Sequence, residues 1–94
     1  MVIRSFKCRE TEKVFNYERT LAWSEPVRKA TLRRLYALHA ATNLLDLRSP
    51  PSNRLEKLHG DRKGQYSIRV NDQWRICFEW HDNQAWKVEM VDYH

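Results

Sequence analysis

Seven residues in this sequence have side chains suited to cleaving RNA without a metal ion. They are two cations of a predicted loop, two arginines of a predicted hairpin and three polar residues after the last strand: Arg62, Lys63, Arg69, Arg75, Asp92, Tyr93 and His94. In such a reaction the 2′-OH loses a proton, the charge on the phosphorane is stabilised, and the 5′-oxygen gains a proton. Arginine or lysine can stabilise the charge, and histidine or tyrosine can transfer the protons. Spacing alone favours the alternative that the last three residues form a frayed polar tail.

An antiparallel hairpin is predicted to position the two arginines. Apolar and polar residues alternate over residues 65–70 and again over residues 74–80, which is the period of a β-strand. Asn71 and Asp72 tolerate positive φ and predict a two-residue turn between the strands. Because side chains alternate between the faces of a strand, the guanidinium groups are predicted to point outward, away from the apolar row. This second face is the candidate working surface.

The other elements predict an α+β fold, in which an N-terminal strand and two helices pack on one face of a mainly antiparallel sheet. Strands are predicted over residues 2–6, 53–58, 65–70, 74–80 and 86–91, and helices over residues 9–19 and 24–41. Ser24 followed by Pro26 is a helix-start signal. Pro50 and Pro51 cannot continue a helix and indicate a surface linker rather than a domain boundary. Residues 1–94 are therefore predicted to be one domain.

The sequence is basic, which favours a polyanionic partner. Its 94 residues include 17 Lys and Arg against 12 Asp and Glu, a formal net charge of +5, and the isoelectric point is about 9.5. One side of the second helix carries four of these cations: Arg28, Lys29, Arg33 and Arg34. They are either a solvated helix face or phosphate contacts along a large RNA.

Several other kinds of site are disfavoured. The four histidines lack the paired spacing of zinc ligands, so no metal site is predicted. No glycine-rich phosphate loop is present, and no cofactor is predicted. Cys8 and Cys77 do not form a disulfide framework and suggest a reducing compartment. Because no apolar run is long enough for a membrane span or a signal peptide, we expect a cytoplasmic protein without membrane contact.

Three segments, in this order, resemble the HigB branch of the RelE-type toxins of bacterial toxin–antitoxin pairs: IRSFK, NRLEKLHGDRKGQYSIRVNDQWRICF and VDYH. The resemblance covers nearly the whole length. It implies a RelE-like fold and ribosome-dependent, metal-independent cleavage of mRNA in the ribosomal A site. It also implies a HigA-like helix-turn-helix antitoxin encoded next to the toxin, through which alone the toxin would reach operator DNA.

The resemblance implies roles for particular residues as well. With the charge pattern, it leads us to expect Arg75, Tyr93, His94, Asp92 and Arg62 as catalytic residues. The expected RNA contacts are Lys63, His59, Lys57, Arg69, Arg28, Lys29, Arg33 and Arg34. The four on the second helix are expected from their charge rather than from the resemblance. Tyr93 and His94 match the family's C-terminal aromatic and acid–base pair. Two positions depart from the family pattern, since His59 stands where a lysine is usual and Glu56 stands where another branch carries histidine.

Two hypotheses follow from these residues. The first is a ribosome-dependent endoribonuclease, and the alternative is a non-catalytic RNA- or ribosome-binding module that blocks translation by occupancy. New 5′ ends within codons distinguish the first from the second. Autonomous DNA binding is disfavoured because the chain has no helix-turn-helix pair.

Overall fold

Two helices lie across one face of a four-stranded antiparallel sheet in the computed structural model, which describes residues 2–93. The helices are α1 (Arg9–Phe15) and α2 (Glu25–Ala40), and the strands are β1 (Glu56–Lys57), β2 (Gln65–Arg69), β3 (Trp74–His81) and β4 (Gln84–Asp92). Across the sheet the strands follow chain order, β1-β2-β3-β4. The predicted α+β arrangement is confirmed.

The core lies between α2 and the sheet. Leu35 and Leu38 of α2 are fully buried against Ile68, Ile76 and Phe78 of the two central strands. Burying an apolar side chain of this size stabilises the fold by about 1.5–3 kcal/mol. The core therefore fixes which face of the sheet is covered and which face remains for a site.

Both helices begin where the sequence predicts, but α1 ends early. The Ser24 hydroxyl caps α2 by accepting a hydrogen bond from the Val27 backbone N–H at 3.5 Å. α1 ends at Phe15 because Tyr17 takes a positive φ of 61°, which a helix cannot include. The predicted continuation of this helix to residue 19 is wrong.

The N-terminal segment, residues 2–7, lies beside β4 but is not a continuous strand. Two isolated parallel bridges join it to β4: Ile3 to Ala85 and Phe6 to Val88. Between them, the Lys87 backbone N–H donates to the Ser5 hydroxyl at 2.9 Å instead of to a backbone carbonyl. Lys87 also has a φ of 54° and lies in the part of β4 where the pairing with β3 shifts register. This bulge interrupts the ladder, so the predicted strand over residues 2–6 is wrong in form although its place beside the sheet is correct.

The predicted strand over residues 53–58 is reduced to the two residues of β1. Asn53 belongs to a 3-10 helix, and its side-chain amide donates to the carbonyl oxygens of Leu47 and Ser49, both at 3.2 Å. Arg54 then takes the left-handed conformation, with φ 45°. The backbone is therefore not extended until after these two residues.

The turn of the β2–β3 hairpin is wider than predicted. β2 ends at Arg69 and β3 begins at Trp74, so residues 70–73 form the connection. The Asn71 side-chain oxygen accepts hydrogen bonds from the backbone N–H groups of Gln73 and Trp74, each at 2.8 Å. An asparagine side chain that accepts hydrogen bonds from the backbone ahead of it forms an Asx-turn. The predicted two-residue connection is therefore wrong.

Candidate functional site

The sheet face opposite the helices carries two rows of residues that the strand pairing defines. One row crosses all four strands: Glu56, Ser67, Cys77 and Glu89. The neighbouring row is Arg69, Arg75 and Val91. Because directly paired residues share a face, all seven side chains leave the sheet on the side away from the core, which we call the polar sheet face. The prediction that the two arginines point away from the core is confirmed.

Arg75 is nevertheless buried within this face, with only 7% of its surface exposed. Its Nε donates to the Ser67 hydroxyl at 2.8 Å, and its Nη2 donates to the Arg54 carbonyl oxygen at 2.5 Å. Nη1 lies 3.9 Å from a carboxylate oxygen of Glu56, and the guanidinium carbon lies 5.6 Å from the centre of the Tyr93 ring. The expectation of a solvent-facing guanidinium is wrong, because the side chain folds along the sheet onto these partners.

Glu56 and Tyr93 form the accessible edge of this cluster. The Glu56 side chain is 52% exposed, and Tyr93 is 40% exposed. A carboxylate, a guanidinium and a phenol ring therefore meet in one place. Such a set can accept a proton from a nucleophile and stabilise negative charge that develops on a phosphodiester.

A second charged cluster is centred on Glu89 of β4. Arg62 Nη1 donates to Glu89 at 3.1 Å and to the Gln65 side chain at 3.0 Å, and Lys7 Nζ lies 3.7 Å from the same Glu89 oxygen. Burial disfavours the charged form of the Arg62 guanidinium and acts to lower its pKa. The hydrogen bond to Glu89 and the charges of other nearby groups together outweigh burial, so the pKa of Arg62 is raised. Arg62 thus reaches the polar sheet face as a permanent cation.

Cys77 lies between the two clusters and is fully buried. Burial is the main reason that the pKa of its thiol is raised, and Glu89 acts in the same direction while Arg62 and Arg75 act against it. A thiol of this kind stays protonated and packs as a small apolar side chain rather than acting as a nucleophile.

Asp92 and Tyr93 take opposite faces at the end of β4. Asp92 pairs with Trp74, which packs on the core side, and accepts a hydrogen bond from the Gln73 side chain at 3.1 Å. The Tyr93 backbone N–H donates to the Gln73 carbonyl oxygen at 2.6 Å. The chain is therefore held to the sheet as far as Tyr93, which contradicts the frayed-tail alternative for Asp92 and Tyr93. His94, predicted to be catalytic, lies outside the described residues.

Four of the predicted RNA contacts lie on α2, on the far side of the sheet from the polar sheet face: Arg28, Lys29, Arg33 and Arg34. Lys29 is paired with Glu25 at 3.3 Å. Arg34 Nε donates to the Arg69 carbonyl oxygen at 3.0 Å, so this side chain holds the hairpin to the helix. The structure thus separates these cations from the two clusters.

The remaining predicted RNA contacts are spread around the edge. His59 and Lys63 are exposed at the two ends of the 3-10 helix Gly60–Arg62. Lys57 pairs with Tyr66, in a row on the core side, although it is exposed at the sheet edge. Arg69 is ion-paired with Asp72.

Sequence reasoning missed three residues of the two clusters: Glu56, Lys7 and Glu89. Period-two alternation places Glu89 on the same face as Val91, so its position on the polar sheet face could have been predicted from the sequence. The sequence distinguishes Glu56 only as a departure from the family pattern. Its face could not be predicted, because the two-residue strand β1 shows too little alternation. Lys7 depends on the parallel placement of the N-terminal segment, which no local pattern reveals.

Residues 2–93 contain neither a metal-binding cluster nor a membrane-spanning helix. No group of three or more His, Cys, Asp or Glu side chains in that range is arranged to hold a metal ion. No helix there has both the length and the apolar character needed to cross a membrane.

The family model that describes the RelE-like toxin of the type II toxin–antitoxin system HigB matches residues 4–94. The chain belongs to the HigB-like toxin family. The resemblance stated from the sequence segments is thereby confirmed.

Curated relatives agree with this assignment. The HigB-like toxin is 49% identical over 59 residues to Toxin HigB-1 of Vibrio cholerae serotype O1, an alignment that covers 63% of this chain and 62% of the relative. It is 38% identical over 64 residues to Endoribonuclease HigB of Proteus vulgaris, with 65% of each chain covered. The aligned part is therefore less than two thirds of the length of these relatives.

Solved structures match over the full length. The YoeB–YefM complex from Staphylococcus aureus includes a chain with a TM-score of 0.63 and 17% identity, covering 100% of this HigB-like toxin and 99% of that chain. A heterotetrameric YoeB–YefM toxin–antitoxin complex from the same organism gives a TM-score of 0.57, also at 17% identity. These similarities support the RelE-like fold.

Proposed function

We propose that this HigB-like toxin is a ribosome-dependent, metal-independent endoribonuclease that cleaves mRNA in the ribosomal A site and thereby inhibits translation. The observation that carries the proposal is the meeting of Arg75, Glu56 and Tyr93 at one accessible edge of the polar sheet face. The name of the Proteus vulgaris relative, Endoribonuclease HigB, supports the endoribonuclease activity in this proposal.

In the proposed reaction the 2′-oxygen of the nucleotide attacks the adjacent phosphorus, and the bond to the 5′-oxygen breaks. Glu56 accepts the proton of the 2′-OH, since it is the half-exposed carboxylate beside Arg75. Arg75 Nη1 stabilises the charge that develops on the phosphorane. Tyr93 stacks on a base or holds its hydroxyl near the phosphate, and His94 donates a proton to the departing 5′-oxygen. The products are a 2′,3′-cyclic phosphate and a 5′-hydroxyl.

The cations of α2 suit a different role in this proposal. Because they lie on the far side of the sheet, they cannot act on the same phosphodiester as Arg75. Lys29 and Arg33 are exposed and can contact the phosphates of ribosomal RNA while the polar sheet face meets the mRNA. A molecule that is cationic on one side and catalytic on the other is suited to a cleft with RNA on both sides.

The alternative function, occupancy without cleavage, is favoured by one observation. Arg75 is largely buried, and Ser67 and Arg54 occupy two of its nitrogens, which is also what a purely structural arginine shows. The two functions differ in their products, because an occupying module leaves the message intact.

The deciding experiment incubates the purified protein with ribosomes programmed with a defined mRNA, and with the same mRNA alone. Primer extension should reveal new 5′ ends within the A-site codon only when ribosomes are present. The upstream fragment should end in a cyclic phosphate, and a 2′-deoxy substitution at the scissile nucleotide should abolish cleavage. Arrested translation with intact mRNA would instead establish occupancy, and a 3′-hydroxyl end would exclude attack by the 2′-OH.

We also propose that the toxin is silenced by a HigA-like helix-turn-helix antitoxin encoded next to it, through which the pair contacts operator DNA. The two solved structures with a similar fold are complexes of YoeB with YefM, which supports an antitoxin partner. The helix-turn-helix form of that antitoxin rests on the resemblance to the HigB branch. A tight and specific complex is expected to bury roughly 1,600 Å². Co-expression with the neighbouring gene product should restore growth and yield a purified complex; persistent growth arrest without a complex would exclude the pairing.

A further inference from the structure

Three residues from separate parts of the chain meet on the polar sheet face. Lys7 lies in the N-terminal segment, Glu89 in β4, and Arg62 at the end of the 3-10 helix Gly60–Arg62. A single oxygen of Glu89 lies 3.1 Å from Arg62 Nη1 and 3.7 Å from Lys7 Nζ. One carboxylate therefore holds two cations together.

The bulge in β4 allows this meeting. Lys87, with its positive φ of 54°, is part of the register shift that separates the two halves of the β3–β4 ladder. Beyond the shift, Glu89 lies on the polar sheet face. The Lys7 backbone N–H donates to the Val88 carbonyl oxygen at 3.0 Å, which fixes Lys7 beside Glu89.

Exposure increases outward from the carboxylate. The Glu89 side chain is 15% exposed, that of Arg62 is 31% exposed, and that of Lys7 is 58% exposed. Within residues 2–93, the hydrogen-bond acceptors of the Arg62 guanidinium, Glu89 and Gln65, both bind Nη1. Because a guanidinium has five N–H donors, Nη2 and Nε remain available to a ligand.

We propose that Lys7 and Arg62 form a binding site for a backbone phosphate of the RNA strand, and that Glu89 is the positioning residue that holds them in place. The proposal rests on the proposed function only in taking RNA as the ligand. Arginine with open donors beside a lysine is a combination that binds phosphodiesters. Glu56 and Glu89 are separated by three strand spacings, roughly 14 Å, so we assign this site to a neighbouring phosphate of the strand rather than to the scissile one.

A purely structural ion pair leads to a different expectation. If Glu89 only stabilises the fold, removing its charge should weaken stability, RNA binding and cleavage together. If Glu89 positions two phosphate-binding cations, removing its charge makes the face more positive and leaves Arg62 less ordered. RNA binding should then be maintained or tightened while cleavage slows.

The experiment compares Glu89→Gln, Lys7→Gln and Arg62→Gln with a matched control, Glu79→Gln. Glu79 is a carboxylate on the same face that is also paired with a lysine, Lys87, at 3.5 Å. For each variant we would measure the dissociation constant for mRNA-programmed ribosomes at several salt concentrations, the single-turnover cleavage rate at saturation, and thermal unfolding.

Lys7→Gln and Arg62→Gln should each weaken binding about tenfold and reduce the salt slope by about 0.7, the value for one contact to a single strand. Glu89→Gln should bind as tightly as the wild type or more tightly, and cleave about tenfold more slowly because Arg62 is misplaced. Adding Glu89→Gln to Arg62→Gln should not slow cleavage further, since Glu89 acts through Arg62. Glu79→Gln should behave as the wild type.

An unchanged salt slope in Lys7→Gln and Arg62→Gln would overturn the phosphate site. A Glu89→Gln variant that loses binding, cleavage and stability in parallel would overturn the positioning role. Failure of the proposed function is separate, because it would be seen as a wild-type protein that cleaves nothing on programmed ribosomes. The binding measurements on the same variants would then still decide the phosphate site.

Discussion

Arg75 links the proposed chemistry of the polar sheet face to its stability. It is the residue that joins Ser67 of β2 to the Arg54 carbonyl oxygen before β1. Strand alternation predicts the face on which Arg75 lies, because that property is local. Its burial could not be predicted, since it depends on a carbonyl group 21 positions earlier in the chain that only the folded structure brings near.

Replacing Arg75 with alanine should therefore affect two properties. The cleavage step should slow by about 10²–10³-fold, the cost of losing one preorganised donor. The free energy of unfolding should fall by about 1–3 kcal/mol, because the Ser67 hydroxyl and the Arg54 carbonyl lose a buried partner. Urea denaturation and single-turnover cleavage on the same preparations test this. Arg75→Lys, which keeps the charge without the fork of donors, is the control, and wild-type cleavage by Arg75→Ala would remove Arg75 from the site.

Glu56 leads to a more selective prediction. Its side chain is half exposed, so Glu56→Gln should leave the thermal midpoint unchanged while lowering cleavage by about 10²–10⁴-fold, the usual contribution of a general base. Asp61→Asn, which removes an exposed carboxylate from the neighbouring 3-10 helix, should change neither property. If Glu56→Gln cleaves at the wild-type rate, another group accepts the proton of the 2′-OH, and His94 is the first candidate.

At the scale of elements, the N-terminal segment is the part whose attachment is least regular. Besides its bridges to β4, it is held by His39 of α2, whose Nδ1 accepts a hydrogen bond from the Ile3 backbone N–H at 3.1 Å. Burial lowers the pKa of His39, so the folded state favours the neutral ring. The proposed phosphate site depends on this attachment because Lys7 belongs to the same segment.

The pH dependence of stability follows from that shift. With a folded-state pKa below the ordinary value of 6.5, the unfolded chain binds the His39 proton more tightly, so stability is fully present above about pH 6.5 and is lost as pH falls toward the lower folded value. The thermal midpoint should thus be lower at pH 5.5 than at pH 7.5. In His39→Gln, whose side-chain oxygen can still accept the Ile3 hydrogen bond, this part of the pH difference should vanish. An equal difference in both proteins would show that other groups cause it.

The element that was predicted correctly is determined by a pattern along its own residues. The elements that were predicted wrongly depend on side-chain hydrogen bonds or on distant parts of the chain. α2 is determined by its own cap and apolar stripe, and its predicted start at Ser24 is correct. The prediction of a two-residue hairpin turn was wrong because the Asn71 side chain accepts hydrogen bonds from the backbone ahead of it. The Asn-Asp pair in the sequence does not show that these bonds form. The prediction of an N-terminal strand was wrong because a bulge in β4 interrupts its pairing. The bulge lies 82 positions along the chain from Ser5, so no local pattern indicates it.

The whole molecule has cations on two sides, which leads to a prediction about the proposed binding to the ribosome. The double variant Lys29→Gln, Arg33→Gln removes exposed charge from α2, so ribosome binding should become less dependent on salt, by about 0.7–0.9 in slope for each lost phosphate contact. Single-turnover cleavage at saturation should not change, because α2 is across the sheet from Arg75. Arg34→Gln is the contrasting variant, and it should lower the thermal midpoint because Arg34 is bonded to the Arg69 carbonyl oxygen. A slower saturated rate in the double variant would place α2 near the reacting phosphate.

The ion pairs of the polar sheet face have a consequence for the choice of substrate. Its cations each lie beside a carboxylate: Arg75 by Glu56, Arg62 and Lys7 by Glu89, Arg69 by Asp72, and Lys87 by Glu79. The excess positive charge of the chain therefore lies largely elsewhere, and this face has little long-range attraction for a polyanion. Free transcripts in the cell would pass it without being concentrated there. Under the proposed function, a nuclease with this face would spare RNA in bulk solution and act on a strand that another particle has already brought to it.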